Sequence, residues 1–202
     1  LQLFQSMQQL LQSKPLLIFD FDGTIADTTP LHAAAFDRVL SPLGLRVDYS
    51  SIAGMKTVDA IKLCLLANGL TLDKEALMAL VIEKQTIVRQ MIAQQLLPLP
   101  GVDQFLRLAC KYHRLSMATS GSRGTVELAL KKLGYMQWFD PLVCADDVDR
   151  AKPFPDIFLK VLSLTGFQPD EAIVFEDSDA GISAAKSAGI ASFDVRGFSW
   201  IY

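Results

Sequence analysis

Five short apolar runs, most of them separated by helical patterns, constrain the fold more than any other feature of this chain. Leu16-Leu-Ile-Phe-Asp-Phe reads as a short, buried strand, and Leu115-Ser-Met-Ala-Thr, Pro141-Leu-Val-Cys-Ala, Ala172-Ile-Val-Phe-Glu and Ile190-Ala-Ser-Phe-Asp-Val each read as a strand. Between the second and third, Val126, Ala129, Leu130 and Leu133 recur at helical spacing, and Gly134 ends the pattern. Such alternation implies right-handed crossovers, so the prediction is an α/β protein with a doubly wound, mostly parallel sheet. Functional groups are then expected beyond the carboxyl ends of the strands.

The stretch from 28 to 97 breaks this rhythm, with three or four helical segments and no convincing strand. Asp27-Thr-Thr-Pro before it and Leu97-Pro-Leu-Pro-Gly101 after it are stiff, turn-prone joints. The expected organisation is a core from two pieces, 1–27 and 98–202, with a helical cap at 28–97 that hinges over the sheet. A chain of 202 residues suits that arrangement and not two large domains.

Half the residues are hydrophobic, 20% are charged and the formal net charge is -3, the profile of a compact folded chain. Lys and Arg form no cluster, so nucleic acid is not an expected partner. Cys64, Cys110 and Cys144 stand far apart and have neither zinc-ligand spacing nor the look of a disulfide framework. The opening segment has no basic n-region and Gln interrupts its apolar residues, which argues against a signal peptide or a membrane span. Leu3, Met7, Leu10 and Leu11 instead fit one face of an amphipathic helix. The expectation is a cytoplasmic protein, monomeric or a small homo-oligomer.

The chemistry concentrates at strand ends. Asp20-Phe-Asp-Gly-Thr24 places two carboxylates two residues apart where the first apolar run stops. On one face of an extended strand, like charges ~4 Å apart would repel by about 4 kcal/mol at an effective dielectric near ~20. A cation relieves that repulsion, and an acidic site without His or Cys suits a hard ion such as Mg²⁺. Phe175-Glu-Asp-Ser-Asp-Ala-Gly181 repeats the layout, so Glu176 and Asp177 are candidates to complete a metal site. Ser178 or Asp179 then caps the next helix. Ala118-Thr-Ser-Gly-Ser-Arg-Gly124 offers hydroxyls and free N–H groups at a helix start, with Ser120 as the candidate phosphate ligand. Lys152 stands in a loop fixed by Pro153 and Pro155.

Taken in order, Asp20-x-Asp-Gly-Thr, Thr119-Ser120, Lys152-Pro and Glu176-Asp177 resemble the motifs of the haloacid dehalogenase superfamily across nearly the whole chain. The helical insert resembles the cap of the branch that includes beta-phosphoglucomutase and many sugar-phosphate phosphatases. The resemblance implies a Mg²⁺-dependent phosphohydrolase acting on a small phosphorylated metabolite. Asp20 would be the nucleophile that becomes an aspartyl-phosphate and Asp22 the acid and base. Asp20, the Asp22 main-chain carbonyl, Glu176 and Asp177 would hold the metal, and Ser120 and Lys152 the phosphoryl group. Candidate substrate contacts are His32, Lys56, Lys84, Gly121 and Arg123. Lys84 falls on the stripe Leu77, Leu80, Val81, Val88 and Met91, where it either snorkels outward or points into the cleft. Thr57 stands where the mutase carries a phosphate-gripping Arg, which favours a phosphatase over a mutase. A phosphonate-cleaving enzyme and a non-catalytic phosphate- or nucleotide-binding module are the remaining readings.

Overall fold

Successive residues of β1 (Leu16–Phe19) point into two different apolar clusters, as a strand buried on both faces requires. Leu17 and Phe19 enter one cluster, Leu16 and Ile18 the other, and all four are fully buried. The computed structural model describes residues 13–53 and 55–200. The amphipathic segment expected over Leu3 to Leu11 lies outside the described residues.

After β1 come α1 (Thr29–Leu40), α2 (Thr57–Ala67) and α3 (Lys74–Gln95), then α4 (Val102–Ala109), β2 (Arg114–Ala118) and α5 (Arg123–Leu133). The chain continues through β3 (Leu142–Val143), α6 (Asp156–Thr165), β4 (Ala172–Glu176), α7 (Asp179–Ser187) and β5 (Ala191–Asp194). The sheet runs β3-β2-β1-β4-β5 with every pairing parallel. Helices α4 and α5 cover the face that holds Phe19 and Phe175, while α6 and α7 cover the other. Phe19 stacks on Phe175 across β1 and β4 with ring centroids 4.7 Å apart. All five expected strands are present, and the sheet is doubly wound as expected. The strand order reverses between β1 and β4, so the crevice for a ligand lies at their carboxyl ends.

One expectation needs correction. β1 ends at Phe19, so Asp20 and Asp22 lie on the loop beyond it, where the strand rule of i and i+2 on one face does not apply. Gly23, with φ at +76°, turns that loop, and the Asp20 N–H still donates to the Phe175 carbonyl at 3.0 Å.

Among the described residues between Thr29 and Gln95 there are three α-helices and two short 3₁₀ turns and no strand. Phe36, Leu40, Ile61, Leu65, Leu77 and Val81 form a separate apolar cluster there. Helix α3, 22 residues and about 33 Å long, leaves that cluster at mid-length. Its second half puts Val88 and Ile92 into the main cluster beside Val126 and Leu130 of α5. The two joints of the insert are tied to one another, since Leu99 N–H donates to the Ile25 carbonyl at 2.9 Å and Ala26 bridges to Pro98. No helix among the described residues is long and apolar enough to cross a membrane.

Candidate active site

Adjacent strand ends bring distant acids together. Asp20 follows β1, Glu176 closes β4 and Asp177 comes next, and one oxygen from each lies within 4.8 Å of the others. Lys152 enters from the loop before α6 and donates to Asp20 Oδ1 and Glu176 Oε2, both at 2.7 Å. Glu176 uses its second oxygen to accept from Ser178 N–H at 3.1 Å and Ser178 Oγ at 2.7 Å. Ser178 Oγ in turn accepts from Gly181 N–H, so Ser178 rather than Asp179 caps α7. Asp179 points away to an ion pair with Arg196.

Two glycines make room for this cluster. A Cβ on Gly23 would stand 2.0 Å from Asp177 Oδ2, and one on Gly181 would stand 2.0 Å from Glu176 Cδ. Burial, then the Glu176 charge, hold the Asp20 carboxyl well above the usual range, against the pull of Lys152. Burial and Glu176 likewise push Asp177 up to about 7. Burial opposes the charge on Lys152, but Asp20 and Glu176 outweigh it and raise its pKa. Three carboxylates against one ammonium leave a surplus of two negative charges, which is the charge and the hard-oxygen chemistry that a divalent ion answers.

Asp22 faces the helical insert instead. Its Oδ1 accepts a short hydrogen bond from Thr28 Oγ1 and lies 3.6 Å from His32 Nε2. Lys84 is 2% exposed, its Nζ 2.9 Å from His32 Nδ1 and 4.4 Å from the centre of the Phe36 ring. An ammonium can only donate, so His32 Nδ1 accepts and Nε2 carries the proton that faces Asp22. Burial lowers His32 to about 4 and Lys84 to about 8. Lys84 therefore points into the cleft and does not snorkel outward.

The space between core and insert consists of two adjoining recesses. The smaller, of about 390 Å³ and part open to solvent, is walled by Asp20, Ser120, Lys152 and Asp177 among others. The larger, of about 590 Å³ and part open to solvent, is walled by His32, Phe36, Lys84, Gln85, Gly121 and Thr125 among others. Ser120 lines both, and its Oγ is buried without a hydrogen-bond partner. Two sequence candidates are not brought to either recess. Lys56 Nζ donates to the Val148 and Asp149 carbonyls at 2.8 and 3.4 Å, and the Arg123 guanidinium is bound to Asp147 at 2.6 Å and the Leu142 carbonyl at 3.0 Å.

Sequence reasoning missed Thr28, Tyr49, Gln85 and Thr125, all of which touch Asp22 or wall a recess. Thr28 stood in a segment read only as a joint. Tyr49 sits in a 3₁₀ turn, where no periodicity marks which way a side chain faces.

A sequence profile of haloacid dehalogenase-like hydrolases matches residues 17–195. The chain belongs to the haloacid dehalogenase-like hydrolases. Among curated relatives, it is 38% identical over 186 residues to the fructose-1-phosphate phosphatase YqaB of Escherichia coli, covering 89% of this chain and 95% of that protein. It is 32% identical to the phosphorylated carbohydrates phosphatase of Thermotoga maritima, covering 86% of this chain and 81% of that one. Among solved structures, beta-phosphoglucomutase from Clostridium difficile superposes with a TM-score of 0.82 at 25% identity, covering 90% of this chain and 84% of that one. Within the haloacid dehalogenase-like hydrolases the chain takes its place as an enzyme of the phosphatase group.

Proposed function

We propose that this hydrolase cleaves a small phosphate monoester, most simply a sugar phosphate, through an aspartyl-phosphate on Asp20, with residues 28–97 acting as a cap. The observation that carries the reading is a single recess holding the Asp20 carboxylate, the Lys152 ammonium and the unpartnered Ser120 hydroxyl. A phosphoryl group supplies an acceptor for the unpartnered Ser120 hydroxyl, a third acceptor for Lys152 beside Asp20 and Glu176, and the electrophile that Asp20 attacks.

In the first step an Asp20 oxygen bonds to phosphorus as the ester P–O bond breaks, and protonated Asp22 gives its proton to the leaving oxygen. In the second, the Asp22 carboxylate takes a proton from water as that water attacks phosphorus, which releases phosphate and restores Asp20. Lys152 counters the charge that grows on the phosphoryl oxygens while keeping Glu176 in place. Thr28 and His32 hold Asp22 toward the insert, the side from which the leaving group must depart. Asp20, Glu176, Asp177 and the Asp22 carbonyl would hold Mg²⁺, which when bound neutralises the surplus charge and polarises the phosphoryl oxygens.

The name of the Escherichia coli relative supports a sugar phosphate as substrate. A mutase must also grip a second phosphate, and here Thr57 stands at the mutase's phosphate-gripping Arg position while the neighbouring Lys56 donates to the Val148 and Asp149 carbonyls. The test is turnover of a panel of sugar monophosphates with Mg²⁺, alongside beta-glucose 1-phosphate with a trace of bisphosphate. Released phosphate supports the phosphatase, and glucose 6-phosphate would point to the mutase. An Asp20→Asn protein with near wild-type turnover would sink the nucleophile assignment.

A further inference from the structure

Among the described residues, three side chains belong to both recesses: Asp22, Ser120 and Tyr49. The first two come from the core, and Tyr49 is the one contributed by the helical insert. The three therefore line the neck where the two recesses adjoin. On the core side Ser120 and Asp22 have work already proposed. The Tyr49 hydroxyl makes no hydrogen bond to another described residue, and Tyr49 lines both recesses together with them.

Its position is built, not incidental. The 3₁₀ turn Tyr49–Ser51 is fastened by Asp48, which accepts from Ser50 N–H at 3.0 Å and from Ser50 Oγ at 2.8 Å. Ser51 Oγ closes the turn on the Asp48 carbonyl at 2.7 Å. The phenol ring rests near Phe36 and His32, with centroids 6.0 and 6.3 Å away. Burial, then Asp22, Asp177 and Asp20, push the phenol pKa up, so the O–H keeps its proton and acts as a donor.

We infer that Tyr49 is a specificity-determining residue, whose hydroxyl donates a hydrogen bond to a substrate hydroxyl or ether oxygen next to the scissile bond. The phosphoryl side of the neck is already served by Ser120 and Lys152, so the Tyr49 donor is left for the organic side. A substrate with oxygen on the carbons beside the phosphate meets it, as a phosphorylated polyol does, and an aryl ester with bare ring carbons there does not. The inference rests on the phosphatase reading, because it needs phosphorus at Asp20.

The experiment compares wild type and Tyr49→Phe, the full chain with Mg²⁺, on two probes. One is the best hydrolysed of a set of hexose and pentose monophosphates, the other 4-nitrophenyl phosphate. Tyr49→Phe keeps the ring contacts, and thermal melting checks that the fold is retained. The expected result is a loss in kcat/KM of about tenfold or more on the sugar phosphate and less than about threefold on the aryl ester. Equal losses on both probes, or no loss on the sugar phosphate, would overturn the specificity role while leaving the phosphatase reading intact. A wild type that turns over neither probe removes the phosphatase reading and this inference together.

Discussion

Gly23 is the residue where backbone and site chemistry meet most closely. Its φ of +76° costs an L-residue about 1–2 kcal/mol, and a Cβ there would overlap Asp177 Oδ2. Gly23→Ala is expected to weaken the Mg²⁺ requirement curve by about 10–100-fold, read as the concentration for half-maximal activity. Gly181 separates the two effects, because its backbone is ordinary helix and only the clash with Glu176 remains. Gly181→Ala should shift the same curve with a smaller loss of thermal stability. Lys84 carries a pH prediction. Its folded pKa of about 8 lies below the ordinary 10.5, so between those values the unfolded chain binds the extra proton. Stability therefore rises as pH climbs from about 8 to 10.5, by up to about 3 kcal/mol. Lys84→Met should lose that rise and unfold at higher urea than wild type at pH 7, while turnover falls. Urea titrations of both proteins at pH 7 and pH 10 would check it, and an unchanged slope with pH would refute it.

At the scale of elements, α3 decides how the insert is attached. Asp73 caps it by accepting from Ala76 N–H at 2.8 Å, and its first half serves the insert's own cluster through Leu77 and Val81. Its second half is core, and Arg89 there reaches Thr125 Oγ1 of α5 at 3.0 Å. Gly124 has no side chain at the place where a Cβ would stand 2.9 Å from Arg89 Nη2. The same helix thus shows two faces of opposite sensitivity. Ile92→Ala, at 1% exposure, should cost about 2–5 kcal/mol through the cavity it leaves. Ile82→Ala, at 60% exposure, should stay within about 0.5 kcal/mol. Chemical denaturation of the two variants measures the contrast, and equal costs would mean that α3 is not shared between clusters.

For the whole molecule, the surplus of negative charge buried at the carboxyl ends of β1 and β4 links metal to stability. A ligand bound only by the folded state stabilises it by about 2.7 kcal/mol at a hundred times its Kd. Melting in saturating Mg²⁺ should therefore occur above melting in a chelator, and Asp177→Asn should shrink the difference. Absence of any shift in wild type would count against a metal at this cluster.

Residue patterns alone determined the strands, the parallel sheet, the helical insert and the identity of Asp20, Ser120, Glu176 and Asp177 as candidates, and Lys152 joined them only through the family resemblance. Buried strands must be apolar and must stop where charge begins, so the acids that follow β1 and β4 mark their own place. Tertiary structure alone decided what each candidate faces. It turned Asp22 toward Thr28 and His32, buried Lys84 in the cleft, drew Lys56 and Arg123 into bonds elsewhere and put Tyr49 at the neck. Those outcomes depend on contacts between segments far apart in the chain, where a side chain's direction follows from packing and the balance of burial against charge, neither of which has a period that a sequence can display.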